Sequence, residues 1–202
     1  VPVIKEVLQA MGVKIIEKAG LEADDILGTI SRMSERRGLE VSVISGDRDL
    51  LQLATEHVKI RIPKTKKGQT EIEDYYAEDV KERYQVNPVE FIDLKALMGD
   101  TADNIPGVPS IGEKTATKII TKYHSIENAH EHVEELKPPR ASKALNEHWD
   151  LAVLSKTLAT IEVHADVEYD FEEAKLGNLY TEEAYASVSY THLRAHETRR
   201  HL

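Results

Sequence analysis

Seven carboxylates in three short clusters constrain this chain more than any other feature. They are Glu22, Asp24 and Asp25 in Glu22-Ala23-Asp24-Asp25, Asp47 and Asp49 in Gly46-Asp47-Arg48-Asp49, and Asp100 and Asp103 in Gly99-Asp100-Thr101-Ala102-Asp103-Asn104. Each cluster adjoins an apolar segment, so a fold that buries those segments can hold the acids at the edge of a core. Converging carboxylates repel one another unless a cation sits among them. Oxygen-only donors suit hard ions such as Mg²⁺ or Mn²⁺. The pattern therefore predicts a multi-carboxylate metal site of the kind that handles phosphates.

Apolar periodicity places the clusters at element ends. Val3, Ile4, Val7, Leu8 and Met11 repeat at helical spacing behind Pro2. No capping residue precedes that helix, as expected of a piece that starts inside a domain. Val13 to Ile16 reads as a short strand, and 22–37 as a helix stopped by Gly38. Val41 to Ser45 has the apolar run of a buried parallel strand, and Asp47 to Leu53 reads as the start of a helix. Val58 to Ile62 alternates like a strand, and 64–72 resembles a polar hairpin around Lys67-Gly68. This order argues for an α/β sheet with crossover helices. From Ala77 the pattern turns helical, over 77–84, 88–98, 113–123 and about 144–155. The expected division is a partial α/β core over 1–75 and a helical subdomain over 76–186.

The net charge of −10 argues, taken globally, against a nonspecific DNA binder. The clustered acids supply much of that excess, and bound cations would offset part of it. Lysines are locally dense at Lys64, Lys66 and Lys67 and again at Lys114, Lys118 and Lys122. No apolar run reaches membrane-spanning length. The absence of cysteine excludes disulfides and zinc–thiolate sites and fits a reducing cytoplasm.

Each cluster has a plain structural explanation. Acids in a first helical turn are favoured by the helix dipole and by capping, which accounts for one member of Glu22, Asp24 and Asp25 better than for all of them. Asp47 and Asp49 follow an apolar strand, where parallel sheets bind ligands, although Asp47 could be a simple cap. Asp100 and Asp103 lie where turn chemistry alone favours Asp, Asn and Gly. Three such clusters together point to chemistry.

A further motif runs from Ile105 to Ala116, with Gly107-Val108-Pro109-Ser110-Ile111-Gly112 as a tight hairpin between helices. Gly107 and Gly112 are expected to permit close approach and positive φ. The next helix would offer free N–H groups with Lys114 and Thr115 at its start, an arrangement suited to a phosphate. This reads as a helix-hairpin-helix that grips a nucleic-acid backbone without reading bases.

Taken together, Glu22-Ala23-Asp24-Asp25, Ser45-Gly46-Asp47-Arg48-Asp49-Leu50-Leu51-Gln52-Leu53 and the stretch from Leu94-Lys95-Ala96-Leu97-Met98-Gly99-Asp100 through Lys114-Thr115-Ala116 resemble the 5′-nuclease domain of bacterial DNA polymerase I, within the flap endonuclease family. The resemblance covers residues 1 to about 186. It implies an incomplete parallel-sheet, PIN-like nuclease core followed by a helical subdomain with a helix-three-turn-helix. It implies Glu22, Asp24, Asp25, Asp47, Asp49, Asp100 and Asp103 as metal-site and catalytic acids. It implies Gly107, Val108, Ser110, Ile111, Gly112, Lys114 and Thr115 as contacts to duplex phosphates, with K⁺ at the hairpin carbonyls. Two Mg²⁺ or Mn²⁺ ions ~3.5–4 Å apart would support in-line hydrolysis of DNA at 5′ ends and flaps. The implied setting is a monomer in the bacterial cytoplasm, at the nucleoid, working in replication and repair beside a polymerase module.

The family's first sheet strand with its aspartate, a further aspartate and the basic helical arch have no counterpart here. This stretch is therefore expected to cleave poorly by itself and to leave a sheet edge exposed. Residues from about Val188 resemble translated sequencing adapter, so 187–202 are expected to be non-native and His192, His196 and His201 to have no role. The competing readings are a noncatalytic branched-DNA-binding module, which would not need acids that repel DNA, and a PIN-like Mg²⁺-dependent ribonuclease.

Overall fold

The computed structural model describes residues 2–66 and 68–190, with the side chains of 188–190 not described. The histidines His192, His196 and His201 and most of the expected non-native tail lie outside these residues, as does Lys67. The chain divides into two compact units, one made of residues up to Leu21 together with those from Asp166 on, the other Glu22–Ala165.

In the first unit, helix α1 (Pro2–Ala10) packs against the C-terminal helix of the described chain, Glu182–Tyr190. Ion pairs from Lys14 to Glu173 at 2.6 Å and from Lys18 to Asp166 at 2.7 Å join the segments that follow and precede them. The expected strand over Val13 to Ile16 does not form, and the stretch is irregular. Its apolar residues lie close to Lys14 and Lys18, whose ammonium groups are engaged in these ion pairs rather than flanking a ladder.

The second unit holds every clustered acid. Helix α2 (Ala23–Glu35) leads to β1 (Val41–Ile44), a 3-10 turn (Asp49–Leu53), β2 (Val58–Lys66) and β3 (Gln69–Tyr75). The sheet order is β1-β2-β3. β1 and β2 pair in parallel, with Val41 opposite Val58, as the apolar run of β1 predicts. β2 and β3 are antiparallel, with Ile60 opposite Tyr75, so the polar hairpin of the sequence extends the sheet instead of hanging from it. The sheet is therefore small and mixed. Helix formation after Asp47 amounts only to the 3-10 turn, because Ala54 leaves helical conformation at ψ 135°.

Helices α3 (Ala77–Tyr84), α4 (Glu90–Met98), α5 (Glu113–Tyr123), α6 (Ile126–Glu131), α7 (Pro139–Glu147) and α8 (Trp149–Ala159) follow, and α9 is Glu182–Tyr190. The single helix expected around 144–155 is thus two, separated at His148, whose φ −121° and ψ 34° interrupt the helical ladder. One core runs through the unit. Leu51, Leu53, Val58 and Ile60 from the sheet side join Leu94, Leu97, Ile120 and Leu145 from the helices, all at most 2% exposed. Burying side chains of this size stabilises by about 1.5–3 kcal/mol each, which fixes the chain segments that carry the acids.

The segment after α8 is pinned by side chains rather than by a strand. Buried Gln52 donates from Nε2 to Ala159 O at 2.9 Å and accepts from Ile161 N at 3.0 Å. The position a Cβ would take on Gly28 lies 3.0 Å from Ile161 Cγ2, so α2 can approach this segment only because residue 28 has no side chain.

Candidate metal centre and nucleic-acid interface

Three of the seven acids converge. One carboxylate oxygen from each of Asp49, Asp100 and Asp103 lies within 4.8 Å of the other two. Asp49 opens the 3-10 turn that follows β1. Asp100 and Asp103 come from the loop after α4, so the core packing of that turn against α4 is what unites them. The loop is closed by paired hydrogen bonds between Asp100 and Ile105, N to O at 2.9 and 2.8 Å.

The remaining acids do not join this group. Asp47 is exposed, and its Oδ1 accepts from Asp49 N at 2.9 Å, which orients the turn. Its charge acts on both Asp24 and Asp49. Burial, followed by the neighbouring Asp25 and Asp47 charges, pushes the Asp24 carboxyl above the usual range against the pull of main-chain N–H groups. Asp25 is engaged structurally at both oxygens. Oδ2 accepts from Glu22 N at 3.2 Å and Oδ1 from Glu162 N at 2.9 Å. Glu22 is exposed at the N-cap of α2. Among the described residues, Glu22, Asp24, Asp25 and Asp47 form no group with ligand-range spacing.

Lys95 enters this site from α4 and is only 6% exposed. Its ammonium pairs with Asp49 Oδ1 and Asp100 Oδ2. The sequence places it within an apolar helix beside Leu94 and Ala96, and a lysine in such a run is the signal that a partner acid lies inside. Burial raises the Asp49 carboxyl despite Lys95, whereas the Lys95 bond, followed by Ala102 N, holds Asp100 below the usual range. Asp49 Oδ1 is buried, lies against the ammonium and accepts no hydrogen bond of normal geometry. Three carboxylates against the one Lys95 ammonium leave this group formally negative. Asp49, Asp100 and Asp103 could therefore hold a divalent cation.

The hairpin of the sequence joins α4 to α5. Gly107 has φ 63°, and a Cβ there would lie 2.4 Å from Gly99 N, so this glycine is required for backbone-to-backbone contact. Gly112 behaves otherwise: its φ is −95° and nothing lies within 4 Å of its Cβ position. The positive φ is taken by Ser110 at 72° instead. Val108 and Ile111 are each 3% exposed and belong to the core, so their side chains cannot meet a ligand. Gly107 N is likewise buried and donates to Ser155 Oγ at 2.9 Å. What remains outward is Ser110, Gly112 and Lys114, with Thr115 half-buried. Arg140 donates to Ser110 Oγ at 2.8 Å and brings a further cation to the hairpin. Lys114, Lys118 and Lys122 form an exposed stripe on α5, opposite buried Ala116, Ile119, Ile120 and Tyr123. Lys64, by contrast, is paired with Glu73 in the β2–β3 hairpin. No helix of the described residues is long and apolar enough to cross a membrane.

Comparison with known proteins matches two family descriptions in tandem. Residues 1–85 match "5′-3′ exonuclease, N-terminal resolvase-like domain" and residues 86–182 match "5′-3′ exonuclease, C-terminal SAM fold". The DNA polymerase I of Bacillus caldotenax is 46% identical over 172 residues, which is 85% of this chain and 19% of that protein. The chain thus spans about a fifth of the length of this relative. A structure of the T5 5′-exonuclease with divalent metal ions (zinc) bound superposes with a TM-score of 0.64 at 27% identity, over 74% of this chain and 53% of the other. A bacteriophage T5 flap endonuclease in a pseudo-enzyme–product complex with DNA and metal ions gives 0.62 at 27% identity, over 74% and 52%.

Proposed function

The chain belongs to the 5′-3′ exonuclease family, and from that premise we propose that it carries the acidic site of a divalent-metal-dependent 5′-3′ exonuclease and flap endonuclease acting on DNA. The observation that carries this reading is the convergence of Asp49, Asp100 and Asp103 from the two matched segments. On this reading 1–75 form the partial α/β core and 76–186 the helical subdomain that completes the site. The parent protein is a bacterial DNA polymerase I at work in replication and repair, supported by the Bacillus relative.

Asp49, Asp100 and Asp103 would hold one ion. Glu22, Asp24, Asp25 and Asp47 extend the negative field toward a second, with Asp47 near enough for its charge to add to burial and Asp25 in acting on the Asp24 carboxyl. Mg²⁺ or Mn²⁺ bound there would activate a water and polarise the scissile phosphate. The chain's own contribution is positional. Core packing holds the turn of Asp49 against α4, and the Asp100–Ile105 bridge sets the loop. The exposed hairpin atoms at Ser110 and Gly112, with Lys114, Thr115 and the α5 lysines, grip a duplex backbone. A K⁺ ion at the hairpin carbonyls belongs to the same reading. Sequence preference would be weak, since phosphate contacts carry little base information.

The test is cleavage of a labelled 5′-flap DNA by the 202-residue chain with Mg²⁺, beside Asp49→Asn and an equivalent RNA substrate. Slow cleavage of the DNA flap, lost on chelation and in Asp49→Asn, is the expected result. Flap binding without cleavage would favour the noncatalytic branched-DNA-binding module, and preferential RNA cleavage a ribonuclease.

A further inference from the structure

Lys95 is a buried cation held between two acids that belong to different parts of the chain. We propose that Lys95 is a built-in counter-cation, positioning Asp49 and Asp100 while the site is free of metal and setting how tightly the carboxylate group binds a divalent ion. The inference rests on the metal reading above and concerns a residue to which that reading gives no role.

The Lys95 ammonium faces Asp49 Oδ1 and Asp100 Oδ2, and its side chain is 7% exposed. The other charged groups acting on Asp49 are the acids Asp47 and Asp103. Without a cation, three carboxylates with oxygens within 4.8 Å would repel, and the buried Asp49 would be an uncompensated charge. One ammonium reduces the formal charge of this group from −3 to −2, counting Asp49, Asp100 and Asp103 against Lys95. That is enough to keep the metal-free site assembled but not enough to neutralise it. An incoming dication meets the same carboxylates with a fixed positive charge already among them, and Coulomb repulsion is screened less where Lys95 and Asp49 are buried. Lys95 therefore has opposite effects in the two states. It stabilises the metal-free protein and weakens metal binding. A lysine that merely held the fold together would do only the first.

The test is a calorimetric titration with Mn²⁺, with thermal melts run with and without the ion, on the 202-residue chain, Lys95→Met and Lys95→Arg. The metal-free Tm of Lys95→Met should fall by roughly 5–10 °C for a chain of this size. Its Mn²⁺ affinity should rise about tenfold or more, as expected when one unit charge close to the ion is removed. Lys95→Arg keeps the charge and should restore both values to near those of the parent. Unchanged or weaker Mn²⁺ binding by Lys95→Met, while the parent binds, overturns this inference and leaves the metal reading standing. Absence of Mn²⁺ binding by the parent overturns both. If Lys95→Met is unfolded without metal, circular dichroism during Mn²⁺ addition decides: recovery of the fold supports the inference, and failure to recover overturns it.

Discussion

The backbone of Gly107 rests against that of Gly99, so closely that a Cβ on Gly107 would stand 2.4 Å from Gly99 N and 2.7 Å from Gly99 Cα. This contact closes the loop that carries Asp100 and Asp103. Gly107→Ala should therefore destabilise by on the order of 3 kcal/mol, combining overpacking with the positive φ. Gly112→Ala, with open space and φ −95°, should stay within about 0.5 kcal/mol of the parent. Urea unfolding of both variants checks the pair, and equal losses would mean the two glycines are not distinguished as the geometry requires.

The convergent acids should differ from the peripheral ones in metal response. Asp100→Asn or Asp103→Asn should remove most of the Tm rise that Mn²⁺ produces, because stabilisation by a ligand follows its affinity for the folded state. Asp25→Asn, whose oxygens accept from Glu22 N and Glu162 N, should lower the metal-free Tm while keeping most of the Mn²⁺-dependent rise. Differential scanning fluorimetry at several Mn²⁺ concentrations separates the two behaviours.

The α5 stripe gives a salt-dependent prediction. Lys114→Ala and Lys118→Ala should each weaken binding of duplex-containing DNA irrespective of sequence. Each should also reduce the slope of log affinity against log salt by about 0.9, the loss of one phosphate contact. Fluorescence anisotropy across a salt series, with the Lys64→Ala control, measures it. The control should change little, since Lys64 is paired with Glu73.

Glu35 links stability to acidity. Burial raises its carboxyl, but the Thr55 hydroxyl at 2.5 Å and Arg32 at 2.9 Å outweigh burial and hold it below the ordinary value of 4.5. A carboxyl depressed in the folded state contributes stability that is present above its unfolded value and is lost as pH falls through the folded one. The urea midpoint should therefore drop below pH 4.5 more steeply in the parent than in Glu35→Gln, and the two curves should converge in acid. Parallel curves from pH 7 to 3 would remove Glu35 as a contributor.

Local pattern carried much of the fold. The alternation of Val58 to Ile62, the polar hairpin after it, and the helices over 77–84 and 113–123 are legible because apolar period and turn residues act over a few positions. Where local pattern failed, a longer-range partner decided. Val13 to Ile16 has strand composition but no ladder neighbour, and His148 divides an apolar stretch that reads as continuous. In the hairpin, glycine spacing marked the motif correctly, yet positive φ falls on Ser110 and not Gly112, and Val108 and Ile111 belong to the core.

The sequence by itself determined that the acids sit at element ends and that a glycine hairpin with a basic helix start follows them, because both are properties of short segments. Long-range packing decided that Asp49, Asp100 and Asp103 meet, that Asp25, in the first turn of α2, accepts from Glu162 N as well as from the N-cap Glu22 N, and that Lys95 turns inward between two acids. Those outcomes depend on which buried faces pack together. Side-chain volume and charge across the whole core settle that choice, and no local window contains it.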